Sequence, residues 1–289
     1  MAVRQPNGEI VARRDELARL SERRPLARIP FVRGIMVLGE SLSLGYKALS
    51  WSAQQAMEEE EEELSNTQIG WTMAIAFIFF GAVFMLLPAF AASAVSRDSG
   101  LVFNVVEGAV RLSMFVGYIW LIGRSKDIAR VFEYHGAEHM SIHAFEAGKP
   151  LNVSSVSAYP PEHPRCGTSF LLVVVLGSII LFTFFGVPGW GFLIISRILG
   201  IPLVAGLSYE VLRWSGTRPD SLLARGLAKP GIWLQKLTTS QPDETQIEVA
   251  ISSLLVALDD ETVAEVIARG PVPEAALAVR QSVVGERHD

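Results

Sequence analysis

The run IGWTMAIAFIFFGAVFMLLPAFAASAV, residues 69–95, contains no charged side chain. An α-helix needs about 20 such residues to cross the hydrocarbon core of a bilayer, so this segment predicts a membrane span. Three more follow at 101–123, 170–187 and 189–212, the last two separated by a Val187-Pro188-Gly189 turn. The composition agrees. Half of the 289 residues are apolar and 19% are charged, where soluble domains carry about a quarter. The expected fold is an all-α integral membrane protein: four transmembrane helices in two hairpins, an N-terminal interfacial helix and cytoplasmic C-terminal helices.

Charge placement orients the spans, because Lys and Arg gather on the cytoplasmic side of membrane proteins. Arg111 and Arg197 lie within spans and Arg97 in the loop after the first; the other basic residues precede residue 69, fall in 124–169, or follow the fourth span. Both termini and the 124–169 segment are therefore expected on the cytoplasmic face. The chain then divides into a polar cytosolic leader (1–28) with little to pack and an interfacial amphipathic helix (29–57). Arg33, Glu40 and Lys47 keep that helix from full insertion. An acidic linker (58–68) follows, opening on Glu58 to Glu63, a self-repelling solvated run. After the four-span domain (69–212) come C-terminal helices (213–258). These are a membrane-proximal amphipathic stretch at 221–238 with Trp233, and a helix capped by Asp243 whose Ile247, Ala250, Ile251, Leu254 and Leu255 recur at helical spacing. An acidic tail (259–289) ends the chain, with a short helix at 260–269 and a loose end.

Several function classes fall away. The leader is Arg-rich without an apolar core, so it does not read as a cleavable signal peptide. No basic-aromatic patch suggests nucleic acid. A single cysteine, Cys166, forms no internal disulfide and is a free thiol or a metal ligand.

Polar chemistry concentrates in 124–169. The expected course is that the second span runs on as a helix from Gly123 to Ala147, stopped by Gly148 and Pro150. Positions i, i+3, i+4 and i+8 share a helix face, which gathers His135, Glu138, His139 and His143. Two imidazoles four apart suit one divalent ion, zinc above all. Pro160 and Pro161 exclude helix from the connecting segment, which then brings up His163 and Cys166. Thr168 is the expected N-cap of the third span. Its positive end, with Arg165, would favour a Cys166 thiolate. His135-x-x-Glu138-His139 also has the order of the inverted zinc-peptidase motif, in which the glutamate is general base. Three readings stand side by side. Four ligands, His135, His139, His163 and Cys166, would fill a structural shell. Three would leave room for water and give Glu138 a proton to take. Otherwise these are ordinary hydrogen-bonded side chains. A cysteine nucleophile served by histidine is a further option.

Charges within spans invite a role as well. Glu107 and Arg111, four apart, can pair and offset their burial, or line an ion path. Glu210, at the cytoplasmic end of the fourth span, is a candidate carboxylate ligand or a partner for Arg213; Glu40 is a weaker candidate of the same kind.

Tyr134-His-Gly-Ala-Glu-His139, His163-Pro-Arg-Cys-Gly-Thr-Ser-Phe170, Leu207-Ser-Tyr-Glu-Val211 and Pro230-Gly-Ile-Trp-Leu-Gln-Lys-Leu-Thr-Thr239 together resemble the YqhQ-like family of bacterial membrane proteins. Arg33-Gly-Ile-Met, Glu40-Ser and Gln246-Ile-Glu-Val-Ala-Ile251 fit too, so the resemblance covers roughly residues 2–258. The family is filed as a domain of unknown function and described as predicted metal-dependent enzymes. The resemblance implies a bacterial inner-membrane location and a divalent metal, and it supports His135, Glu138, His139, His163, Cys166 and Glu210, but not His143. Met140 stands where the family commonly has lysine. A Gly-Gly-Gln-Ala-Val-(Ile/Met)-Glu-Gly-Val-Met box of the family pattern would lie just ahead of Met1. The leading expectation is a metal-dependent hydrolase acting on a membrane-proximal substrate. Its alternatives are a non-enzymatic scaffold with a structural metal and a small transporter using Glu107 and Arg111. The bilayer is the one expected partner; homo-oligomers stay open.

Overall fold

Residues 1–15, 28–56, 66–95, 98–164, 166–184, 189–218 and 221–285 are described by the computed structural model. Residues 16–27 of the basic leader, Glu58 to Glu63, Arg97, Arg165 and the Val187-Pro188 half of the expected turn lie outside the described residues.

The chain opens on a hairpin of β1 (Ala2–Arg4) and β2 (Ile10–Ala12), antiparallel, with Val3 opposite Val11. Gly8 closes its turn with φ +89°, a left-handed conformation that glycine adopts freely. This corrects the expectation of a leader with little to pack. Arg4 pairs with Glu248 at 2.9 Å and also donates to the Thr245 carbonyl, fixing the hairpin to a helix far along the chain.

Helices follow: α1 (Pro30–Ala56), α2 (Asn66–Val95), α3 (Gly100–Ile122), α4 (Lys126–Glu146) and the single turn α5 (Val153–Val156). Then come α6 (Thr168–Thr183), α7 (Trp190–Gly216), α8 (Leu222–Thr238), α9 (Glu244–Ala257), α10 (Asp260–Ala268) and α11 (Glu274–Gly285). Among the described residues, three helices are long and apolar enough to cross a membrane: Gly70–Val95 within α2, α3, and α7. Their side chains point outward, as Phe77 (77% exposed) and Leu199 (69%) illustrate, and lipid makes so extended an apolar surface favourable. This is a membrane protein. Among the described residues the expected fourth full span is not confirmed. Helix α6 is apolar but has 16 described residues, about 24 Å at ~1.5 Å per residue against a core of about 30 Å.

The bundle is a row in which α2 packs on α3, α3 on α6, α6 on α7 and α7 on α1, with α8 laid against α6. Helix α1 approaches α7 so closely that a Cβ on Gly34 would stand 2.7 Å from the Gly206 carbonyl oxygen; small residues permit such crossings. The interior of the row combines an apolar cluster of Ala89, Ala92, Phe103 and Leu193 with a buried charge group. Glu107, 1% exposed, receives Arg111 at 2.6 Å and the Arg197 Nε at 3.1 Å, and Arg197 also donates to Asn104.

Beyond α3 the expectation of one continuous helix fails. The chain turns at Gly123–Ser125 and α4 begins anew at Lys126 with Ser125 extended as its N-cap. The turned helix buries Ala137, Met140 and Ala144 against Leu151, Val156, Ile247, Ile251 and Leu255 in a separate apolar core. Met140 is wholly buried there, so an apolar side chain suits the position. Asp243 caps α9, as expected, and Gln246 completes a reciprocal capping box; the Gln246 amide also reaches Glu133 on α4 at 2.8 Å. The expected loose end is instead α11, which packs on α9, buries Ala276 and anchors Arg280 on the Leu258 carbonyl.

Candidate metal centre

Because α4 gives its apolar face to that core, the opposite face carries His135, Glu138 and His139 outward. The segment before α6 meets them there. One ligand atom from each of His135, His139 and Cys166 lies within 4.8 Å of the other two, and the imidazole rings of the pair are 4.3 Å apart. His135 Nε2 and Cys166 Sγ are 3.4 Å apart. Tetrahedral zinc with ~2.0 Å bonds to nitrogen and ~2.3 Å to sulfur sets neighbouring N and S about 3.5 Å apart, the spacing of this pair.

Backbone carbonyls aim the two rings. His135 Nδ1 donates to the Thr238 carbonyl at 2.8 Å, and His139 Nδ1 to the Pro161 carbonyl at 2.7 Å. A carbonyl oxygen can only accept, so each Nδ1 carries the proton and each Nε2 of a neutral ring keeps its lone pair for a ligand. Metal-binding histidines are oriented in this way. Position 136 must be glycine for the same packing: a Cβ there would lie 2.2 Å from the Ser240 carbonyl oxygen. Gly136 serves close approach.

Thr168 is not the N-cap of α6; that place belongs to Gly167. The thiol does part of the capping, since Thr168 donates to Sγ from its backbone N–H at 3.4 Å and from its hydroxyl at 3.3 Å. Burial pushes the Cys166 thiol up, but contacts with His135, His139 and Thr168 outweigh it and bring its pKa down to about 5. Burial pulls the His135 imidazolium down, yet Cys166, the Thr238 carbonyl and Glu138 together hold it above the ordinary value. Glu138 has an exposed side-chain edge, although the surrounding chain is dense enough that desolvation raises its carboxyl pKa against the pull of His135 and His139. Chemically, this arrangement can hold a cation with a base alongside, or present an ion-paired thiolate.

The remaining candidates sit elsewhere. His163 is turned away from the trio: its ring is 5.8 Å from His139 but 4.4 Å from His143, and its Nε2 is 3.5 Å from Glu146. Burial and the neighbouring His143 hold its pKa down, with Glu146 opposing. His143 in turn donates from Nε2 to the Glu162 carbonyl at 2.9 Å. The expected ligand Glu210 is not with the trio, nor paired with Arg213. Both its oxygens take Arg33, at 3.2 and 2.5 Å, across the α1–α7 contact.

Three positioning residues had no role in the sequence reading. Gln235, fully buried, accepts from the His163 N–H at 2.7 Å and donates to the His163 carbonyl at 3.0 Å. Thr238 and Pro161 supply the orienting carbonyls. The Pro230–Thr239 motif held the signal for two of them, but a backbone acceptor is invisible in a residue's identity.

The chain belongs to the family described as "Protein of unknown function (DUF1385)", whose model matches residues 29–260. It is similar to the "Uncharacterized protein YqhQ" of Bacillus subtilis (strain 168), 32% identical over 255 residues that cover 82% of this chain and 80% of the relative. No solved structure matches it.

Proposed function

We propose that this is a metal-dependent hydrolase of the bacterial inner membrane, with four spans, both termini cytoplasmic, and the His/Cys cluster at the inner leaflet. The basic residues of 124–169 and of the tail support that orientation, and α6 with α7 would be the second hairpin. The observation that carries the chemistry is the aimed trio, in which two imidazoles with carbonyl-fixed Nδ1 protons converge on a thiol. His135, His139 and Cys166 would hold a divalent ion, zinc by donor type, and three protein ligands leave a coordination position for water or substrate. A bound ion would supply Lewis acidity. Glu138, facing the same side of α4 as the two imidazoles, would take a proton from water as the oxygen adds to the scissile bond and return it to the leaving group, so that one water is consumed. His163 and Glu210 would not be ligands in this scheme.

A structural staple joining α4 to the start of α6 is the second reading, favoured by the Gln235 clamp on the same segment. A transporter built on Glu107 and Arg111 has less support, since both are spoken for by ion pairs within the bundle. Elemental analysis of the detergent-purified protein separates these. The hydrolase reading expects zinc in the native chain and in Glu138→Gln, none in His139→Ala or Cys166→Ser, and loss of the cellular phenotype in all three. A silent Glu138→Gln beside an unstable, metal-free Cys166→Ser would leave only the staple.

A further inference from the structure

A cavity of about 830 Å³ opens beside the candidate centre, within the range of about 300–1,000 Å³ usual for ligand sites. Along α1 it follows Gly34, Val37, Leu38 and Ser41, and along α7 it runs from Tyr209 past Leu212 to Gly216. Each wall advances roughly 10 Å, at ~1.5 Å per helical residue. The two walls are parallel, because Phe31 packs on Gly206 and Gly34 on Tyr209. The Arg33–Glu210 pair joins them at the same level. Helix α6 lies antiparallel on α7, with Gly177 opposite Val204 and Ser208, so the start of α6 stands level with the last turns of α7.

The trough therefore has a direction. Helix α7 is long and apolar enough to cross the membrane and runs toward the candidate centre, so Gly34 and Tyr209 mark the deep end and Ser41 and Gly216 the shallow one. Cys166 and His163, just ahead of α6, line the cavity at the shallow end together with His143. Val37, Leu38, Leu212 and Phe170, in the first turn of α6, line it farther in. Polarity falls along this path in the same sense as from a bilayer's surface to its interior. A polar compound seated on the apolar stretch would leave donors and acceptors unpaired, whereas a hydrocarbon chain enters from the leaflet without that cost. We infer that the cavity receives one hydrocarbon chain of a lipid from the adjoining leaflet, with the junction of chain and head at the Cys166 end. Recognition is through the chain, so a neutral head suffices. The lipid's role as substrate rests on the hydrolase reading above; its binding stands on the cavity alone.

The test uses the full chain, incubated with zinc, in a steroid-based detergent that brings no alkyl chain of its own. The probe is hexadecanol carrying a photoreactive diazirine on its chain. Peptide mapping is expected to find saturable label on the cavity segments of α1 and α7, displaced by unlabelled hexadecanol, while a diazirine butanol at the same concentration leaves them unlabelled. Leu38→Trp, which fills the trough midway, should cut the label about tenfold, the equivalent of ~1.4 kcal/mol. Ser41→Trp closes the shallow end from an exposed position, so it gives the same readout without burdening the core. Cavity label no stronger than that on the lipid-facing surface of α2, equal labelling by the butanol probe, or undiminished labelling in both variants overturns the inference. Zinc content measured on the same samples separates the two levels. Zinc without cavity label sinks the chain site and spares the hydrolase reading; cavity label without zinc keeps the site and sinks the hydrolase reading, and with it the lipid's role as substrate.

Discussion

The membrane bundle and the layer of α4, α9 and α11 are built inside out with respect to each other. In the bundle the surface is apolar and the centre holds Glu107, Arg111 and Arg197; in the layer the centre is Ala137, Met140, Ile251 and Leu255 and the outer faces are polar. Solvent explains the inversion. Lipid makes outward Phe and Leu favourable and requires charges to find each other inside, whereas water drives the aliphatic side chains of the layer together. The candidate centre lies where the two regimes meet, and it draws its rigid mounting from the layer and its cavity from the bundle.

The largest effect should come from opening the bundle's polar centre. Glu107→Ala strands two buried guanidinium groups and should cost about 3–5 kcal/mol, read as a lost or lowered thermal transition in detergent. Replacing Glu107, Arg111 and Arg197 together with Leu, Leu and Met sharpens the point: stability should return to near the native value, because removing a whole buried charge group is far milder than breaking it. In the layer, Ile251→Ala should cost about 2–4 kcal/mol by leaving a cavity, with the bundle's detergent behaviour unaltered. Gly136→Ala, at the join, should cost about 1–3 kcal/mol through overpacking against Ser240. If the centre holds the proposed zinc, Gly136→Ala should also weaken its retention, since Thr238 lies two residues from the Ser240 carbonyl that must move. Smallest is Asp243→Ala, about 1 kcal/mol for a lost N-cap. Hydrogen bonding from Thr245 first, then from the Gln246 backbone, holds the Asp243 pKa below the usual carboxylate value. Its contribution is therefore present above the unfolded-state pKa and fades as pH falls through the folded one; equal acid sensitivity of Asp243→Ala and native protein would contradict it.

What the sequence disclosed was local. Uncharged apolar runs, the cap at Asp243, and the common face of His135 and His139 all depend on neighbours within a turn or a span. The meeting of that face with Cys166 was also expected, since a short connection left few other places for the thiol. Partners distant along the chain were not legible: Glu210 goes to Arg33 rather than Arg213, and His163 goes to Glu146. The turn at Gly123–Ser125 lacks a proline and reads like continuing helix. The N-terminal hairpin did carry a sign, Asn7-Gly8 between two short apolar runs, which the surrounding arginines obscured.

The two-pronged hold of Gln235 on His163, together with the Thr238 carbonyl on His135, ties both histidine-bearing segments to one helix, whose opposite side offers Leu222, Leu223 and Trp233 to its surroundings. Alignment of the donors is thereby geared to the attitude of α8. A displacement of α8 would therefore reach both imidazole-bearing segments through three hydrogen bonds.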